Sequence, residues 1–95
     1  MKGIYFIEPP RTPTVLIVDE NLGFVWWLGE ILSKAGCTVV PALSCREALS
    51  LSKQLSLKID LIFVNTALSG SSAMVESLNH PHQPVRIIEV PGCFN

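Results

Sequence analysis

The residues able to do chemistry stand at the ends of apolar runs. Asp19 and Glu20 follow Val15-Leu16-Ile17-Val18, Asn65 and Thr66 follow Leu61-Ile62-Phe63-Val64, and Glu89 lies near the end of Val85-Arg86-Ile87-Ile88-Glu89-Val90. Adjacent carboxylates such as Asp19 and Glu20 suit a hard divalent cation, which takes oxygen ligands and favours negative charge. Two carboxylates with one amide make a poor cage, so the expectation is weak Mg²⁺ binding at best, set against a plain solvated acidic loop. Asp19-Glu20-Asn21-Leu22-Gly23 puts acid where a nucleotide phosphate would need backbone amides, and no glycine-rich cradle follows the run. No Ser-His-Asp or Cys-His pattern is evident, and the chain is read as a non-enzyme. His80 and His82 sit beside prolines with no Cys or acidic neighbour, which reads as a loop rather than a zinc site. Cys37, Cys45 and Cys93 are an odd set without C-x-x-C spacing, hence free thiols.

The elements that must carry these residues follow from periodicity. Val15–Val18 is a continuous β-branched run that empties into a polar loop, the pattern of a strand buried on both faces of a parallel sheet. From Leu22 to Ala35 the apolar residues Phe24, Leu28, Ile31, Leu32 and Ala35 recur at helical spacing, with Asn21 as N-cap and Gly36 as stop. Cys37-Thr38-Val39-Val40 reads as a short second strand. Ser44-Cys45-Arg46-Glu47 is a capping box ahead of Ala48, Leu49, Leu51 and Leu55, so a second helix follows. Asp60–Asn65 repeats the strand pattern, and Ser69–Leu78 is a Ser-rich third helix with Ala73, Met74 and Leu78 inward. Val85–Val90 is a fourth strand. The order β-α-β-α-β-α-β demands right-handed crossovers and a doubly wound parallel sheet, whose ligands bind at the carboxyl ends of the strands.

With 95 residues the chain fits one domain: a joint, Glu8-Pro9-Pro10-Arg11-Thr12-Pro13, separates an apolar N-terminal segment within residues 1–13 from a body spanning 14–95. The hydrophobic fraction is 48%, the charged fraction 16% and the mean hydropathy +0.42, which is more apolar than so small an interior readily hides. Some of that surface is therefore expected to meet a partner. Lys and Arg total 7 against 8 Asp and Glu with no basic run, so the electrostatic footprint of a nucleic-acid binder is missing. No signal h-region or membrane span is legible, and the expected location is the cytoplasm.

Taken together, Val15-Leu16-Ile17-Val18-Asp19-Glu20-Asn21, Leu28-x-x-x-Leu32-x-x-x-Gly36, Ala42, Glu47-Ala48-Leu49, Asp60-Leu61-Ile62, Leu68-Ser69-Gly70 and Pro84-Val85 resemble the receiver domain of bacterial two-component response regulators. The resemblance covers roughly residues 14 to 90 and implies a flavodoxin-like fold with strand order 2-1-3-4. Against the family, the last crossover helix, the fifth strand with its Lys and the final helix have no counterpart. Receivers take a phosphoryl group on an Asp at the end of the third strand and hold Mg²⁺ with an acidic pair at the end of the first. The resemblance puts Asp19 and Glu20 in that acidic pocket and Asn65 in the acceptor position, where a neutral amide cannot attack phosphorus as a carboxylate does. The Ser or Thr that follows the phosphoryl group in the family's switch aligns with Glu89, or with Val90 if the register slips by one. A Glu there would repel a phosphoryl group.

The expected function is thus that of a degenerate receiver, a phosphorylation-independent protein-protein interaction or regulatory module in signal transduction. Its partner would be a sensor kinase or other regulator, in a homodimer or larger assembly. The alternatives are a small-ligand-binding or enzymatic flavodoxin-like domain, or a receiver fragment without function of its own. Interface candidates are Trp26, which points away from the expected helix core with Glu30 and Ser33 while Trp27 lies nearer the core edge, and Ile4 and Phe6 of the N-terminal run. Gly3–Ile7 is expected to add an antiparallel edge strand, more easily beside the second strand than the fourth, or to pair with another molecule.

Overall fold

A computed structural model describes residues 12–55, 58–79 and 85–90. Its strands β1 (Thr14–Val18), β2 (Thr38–Ala42), β3 (Leu61–Asn65) and β4 (Arg86–Val90) alternate with helices α1 (Leu22–Lys34), α2 (Cys45–Leu55) and α3 (Ser71–Leu78). All strand pairs are parallel, and the sheet order is β2-β1-β3-β4. This is the α/β arrangement expected, consistent with the first four strands of a flavodoxin-like sheet. The N-terminal segment containing Ile4 and Phe6 lies outside the described residues, as do His80, His82 and Cys93.

β1 is central because every residue from Val15 to Val18 is apolar and therefore tolerates burial on both faces. Leu16 and Val18 join Ile62, Val64, Val40 and Ala42 beneath α2 and α3, which contribute Cys45, Ala48 and Met74. On the opposite face Val15 and Ile17 meet Val25 of α1, with Leu28, Leu32, Leu61 and Phe63 around them. Each fully buried Leu, Ile or Met contributes on the order of 1.5–3 kcal/mol over its exposed state.

The helix ends are set by the capping residues. The Asn21 carboxamide oxygen accepts from the Phe24 N–H at 3.1 Å. At the other end Gly36 takes φ 95°, while Cys37 N–H donates to Leu32 C=O and Gly36 N–H to Ser33 C=O, so two carbonyls that the helix leaves unpaired are satisfied by a left-handed turn. The Ser44 hydroxyl accepts from Glu47 N–H at 3.0 Å, and the Glu47 carboxylate accepts from Leu43 N–H at 2.7 Å, one residue earlier than the usual reciprocal bond.

Several local expectations are corrected. The inward stripe of α1 runs through Val25, Leu28 and Leu32; Ile31 is 46% and Trp27 56% exposed, so neither lies at the core edge. The apolar residues of α1 cover almost the whole wheel, and spacing alone could not say which side the sheet takes. In α3 Met74 and Leu78 face inward as expected, but they are joined by Val75 and not by Ala73, which is exposed. That helix starts at Ser71, after Gly70 in the left-handed region at φ 83°. β2 runs on through Pro41 to Ala42, which an edge strand allows because an outward-facing residue needs no N–H.

Candidate functional site

The carboxyl ends of β1 and β3 bring Asp19 and Asn65 together. Val18 pairs with Val64 in the sheet, so the residue after each strand core emerges at the same level. Both side chains are buried, at 6% and 7% exposure. The Asn65 Nδ2 donates to Asp19 Oδ1 at 3.3 Å, across a sequence separation of 46 residues. The same Asp19 oxygen accepts from Asn21 N–H at 2.9 Å, and Asn65 Oδ1 accepts from Ala67 N–H at 2.9 Å.

These bonds account for an amide at position 65. One end of the side chain faces a backbone donor and the other a carboxylate acceptor, and a carboxamide answers both at once where an ionised carboxylate answers only the first. No buried side-chain nitrogen or oxygen among the described residues is left without a partner. The pair is thus a satisfied polar tie between two strand ends, worth the more because it is out of water. An amide nitrogen has no nucleophilic lone pair to offer phosphorus, so Asn65 itself cannot take a phosphoryl group as a carboxylate would.

Glu20 does not join the tie: its side chain is exposed. No group of three or more His, Cys, Asp or Glu able to hold a metal exists among the described residues. Thr66 is exposed, and its N–H donates to Val90 C=O at 3.4 Å.

The β3–β4 register settles the position opposite Asn65. Val90 pairs with Asn65, and Glu89 pairs with Val64. Of the two alignments offered for the switch position, Val90 is the one at the level of Asn65, and it carries no hydroxyl. Glu89 instead faces the α3 side, where it lines a groove of about 420 Å³ with Thr66, Ser71, Ser72 and Glu76. Side chains alternate between sheet faces, so a one-residue shift moves Glu89 to the opposite side from the Asp19–Asn65 pair.

Trp26 is exposed at 69%, as expected, and with Leu22 at 64% it flanks a second, apolar groove of about 490 Å³ between α1 and the β2 edge, lined also by Val25, Val39 and Pro41. Trp27 lies on the other flank of α1 against the Phe24 ring, with centroids 6.2 Å apart. Of the thiols, Cys45 is buried and desolvation pushes its pKa up, whereas Cys37 is half-buried. No helix among the described residues is long and apolar enough to cross a membrane. Sequence reasoning missed the Asn65–Asp19 bond, which is a contact in space, whereas the open edge at β4 was legible from the strand order. Comparison with family models, with curated proteins and with solved structures found no match to this chain.

Proposed function

We propose that this chain is a degenerate receiver-like domain that works in signal transduction as a protein-binding or regulatory module without being phosphorylated. The observation that carries this reading is the buried Asn65 amide bonded to Asp19 at 3.3 Å, at the strand ends where a receiver would hold a carboxylate acceptor facing its acidic pair. The strand order 2-1-3-4 supports the same reading. A neutral side chain there neither accepts a phosphoryl group nor adds to the charge that would retain Mg²⁺. The module would act in the cytoplasm, through a sensor kinase, another regulator or a second copy, by the surfaces it exposes.

Treating the full chain with acetyl phosphate and Mg²⁺, followed by intact-mass measurement, tests this. The wild-type chain is expected to gain no phosphoryl group, and Asn65→Asp, which restores the carboxylate, is expected to gain one that is lost in mild base. A phosphoryl adduct on wild-type protein would refute the reading.

A further inference from the structure

The two edges of the sheet differ in what their backbones still offer. On β2, Thr38 N–H donates to Pro13 C=O and Ala42 C=O accepts from Asp19 N–H, so Thr38, Val40 and Ala42 face β1 and the alternate residues face outward. Among those outward positions Pro41 has no N–H, Cys37 N–H is used by the α1 terminus, and Leu43 N–H is used by Glu47. Only Val39 N–H remains, and an edge so depleted resists strand addition.

On β4, Arg86 N–H donates to Asp60 C=O and Val90 C=O accepts from Thr66 N–H, so Arg86, Ile88 and Val90 face β3. Ile87 and Glu89 turn both N–H and C=O outward, away from β3, and no strand among the described residues lies on that side. The two faces beside this edge also differ. On the α3 side the groove of about 420 Å³ carries the carboxylates of Glu76 and Glu89 among Ser71, Ser72 and Thr66. On the α1 side Ile88 is 44% exposed beside Phe63.

We infer that the β4 edge is a strand-addition site for an extended segment of a partner protein that alternates cationic and apolar side chains. Directly opposed residues in a sheet share a face whichever way the added strand runs. Residues opposite Ile87 and Glu89 would thus point a Lys or Arg into the Glu76–Glu89 groove, and the residue opposite Ile88 would lay an apolar side chain beside Phe63. Main-chain bonds supply affinity and the alternating pockets supply selectivity. The surface does not involve the Asp19–Asn65 pair.

Fluorescence anisotropy with two short labelled peptides, one alternating Lys and Val and the other Glu and Val, tests the inference at low salt. The Lys–Val peptide is expected to bind about tenfold or more tightly than the Glu–Val peptide, and Glu89→Lys to cancel or invert that preference. Ile87→Pro and Glu89→Pro each remove one outward N–H without touching the β3 ladder, and each is expected to weaken binding. Should a proline variant not fold, N-methylation of alternate peptide amides tests the same bonds on wild-type protein and is expected to abolish binding. Acetyl phosphate with Mg²⁺ should leave Lys–Val peptide binding by the wild-type chain unchanged, which separates this site from the proposed function. Equal affinity for both peptides, or indifference to N-methylation in both alternations, would overturn the inference. So would sedimentation showing a dimer that Glu89→Pro dissociates, since a second copy would then occupy the edge.

Discussion

Exchanging Asn65 for Asp should turn a stabilising tie into a repulsive pair. The substitution removes the N–H donor that reaches Asp19 Oδ1 at 3.3 Å while leaving the bond from Ala67 N–H in place. A hydrogen bond to a charged group contributes on the order of 1.5–3 kcal/mol. In its place two like charges about 3.3 Å apart repel by roughly 5 kcal/mol at an effective dielectric of 20, and by about 1 kcal/mol in the aqueous limit. Relaxation and the solvent at the strand ends reduce the sum, and a net loss of about 3–5 kcal/mol at neutral pH in chelator is expected, a large part of the total for a domain of this size. The control is Asn65→Ala, which loses the bond without adding charge and should cost about 1–3 kcal/mol. The repulsion raises the pKa of the introduced carboxyl above its ordinary value near 4. Below that value the group is protonated and can donate to Asp19, so the charge penalty is absent there. The penalty then grows as pH rises through the raised pKa. Mg²⁺ should reverse it in part, because an ion bound only by the folded form stabilises by mass action, whereas wild type should respond little. Urea titrations at pH 7 and pH 4, with chelator and with Mg²⁺, read all of this. If Asn65→Asp proved no less stable than Asn65→Ala at pH 7 in chelator, the geometry given for the pair would be wrong.

Other consequences are simpler to measure. Met74→Ala removes a side chain with no exposed surface beneath α3 and should cost about 2–5 kcal/mol in urea unfolding. Ser44→Ala deletes the hydroxyl that accepts from Glu47 N–H and should cost about 1 kcal/mol, whereas Ser50→Ala on the exposed face of α2 should change stability by less than about 0.5 kcal/mol. Gly36→Ala meets no steric obstacle but must adopt φ 95°, so it should lose about 1 kcal/mol or more by thermal melt. Cys45, buried and with its pKa raised, should be alkylated more slowly than Cys37 in the folded protein, and peptide mapping after brief iodoacetamide treatment reads the difference.

The topology was legible because β1 and β3 are uninterrupted apolar runs ending in polar residues, and because Asn21, Gly36 and the Ser44–Glu47 box mark helix ends by local chemistry. Local chemistry is what a sequence states outright. The face of α1 was not legible: Leu22, Trp26, Trp27 and Ile31 stay exposed beside the buried Val25, and only the sheet decides which of these apolar residues it covers. For the same reason the choice between Glu89 and Val90 at the level of Asn65 stayed open, since a run such as Arg86–Val90 carries no mark of its register with β3. The Asp19–Asn65 pair lay halfway between. Each residue could be placed at a strand end, but the bond joining them depends on the parallel β1–β3 pairing that sets both ends at one level.

The central claim is that a neutral amide occupies the strand-end pocket and is held there by Asp19. The side-chain NH₂ resonances of Asn65 in a ¹⁵N–¹H correlation spectrum report on it most directly, with the exposed Asn21 and Asn79 as internal references. We predict that the Asn65 pair is shifted and slow to exchange with water, that Asp19→Ala collapses it onto the reference amides, and that millimolar Mg²⁺ leaves it in place. An Asn65 NH₂ group that exchanges like the references, or that moves with Mg²⁺ while Asp19→Ala leaves it unchanged, would contradict the account.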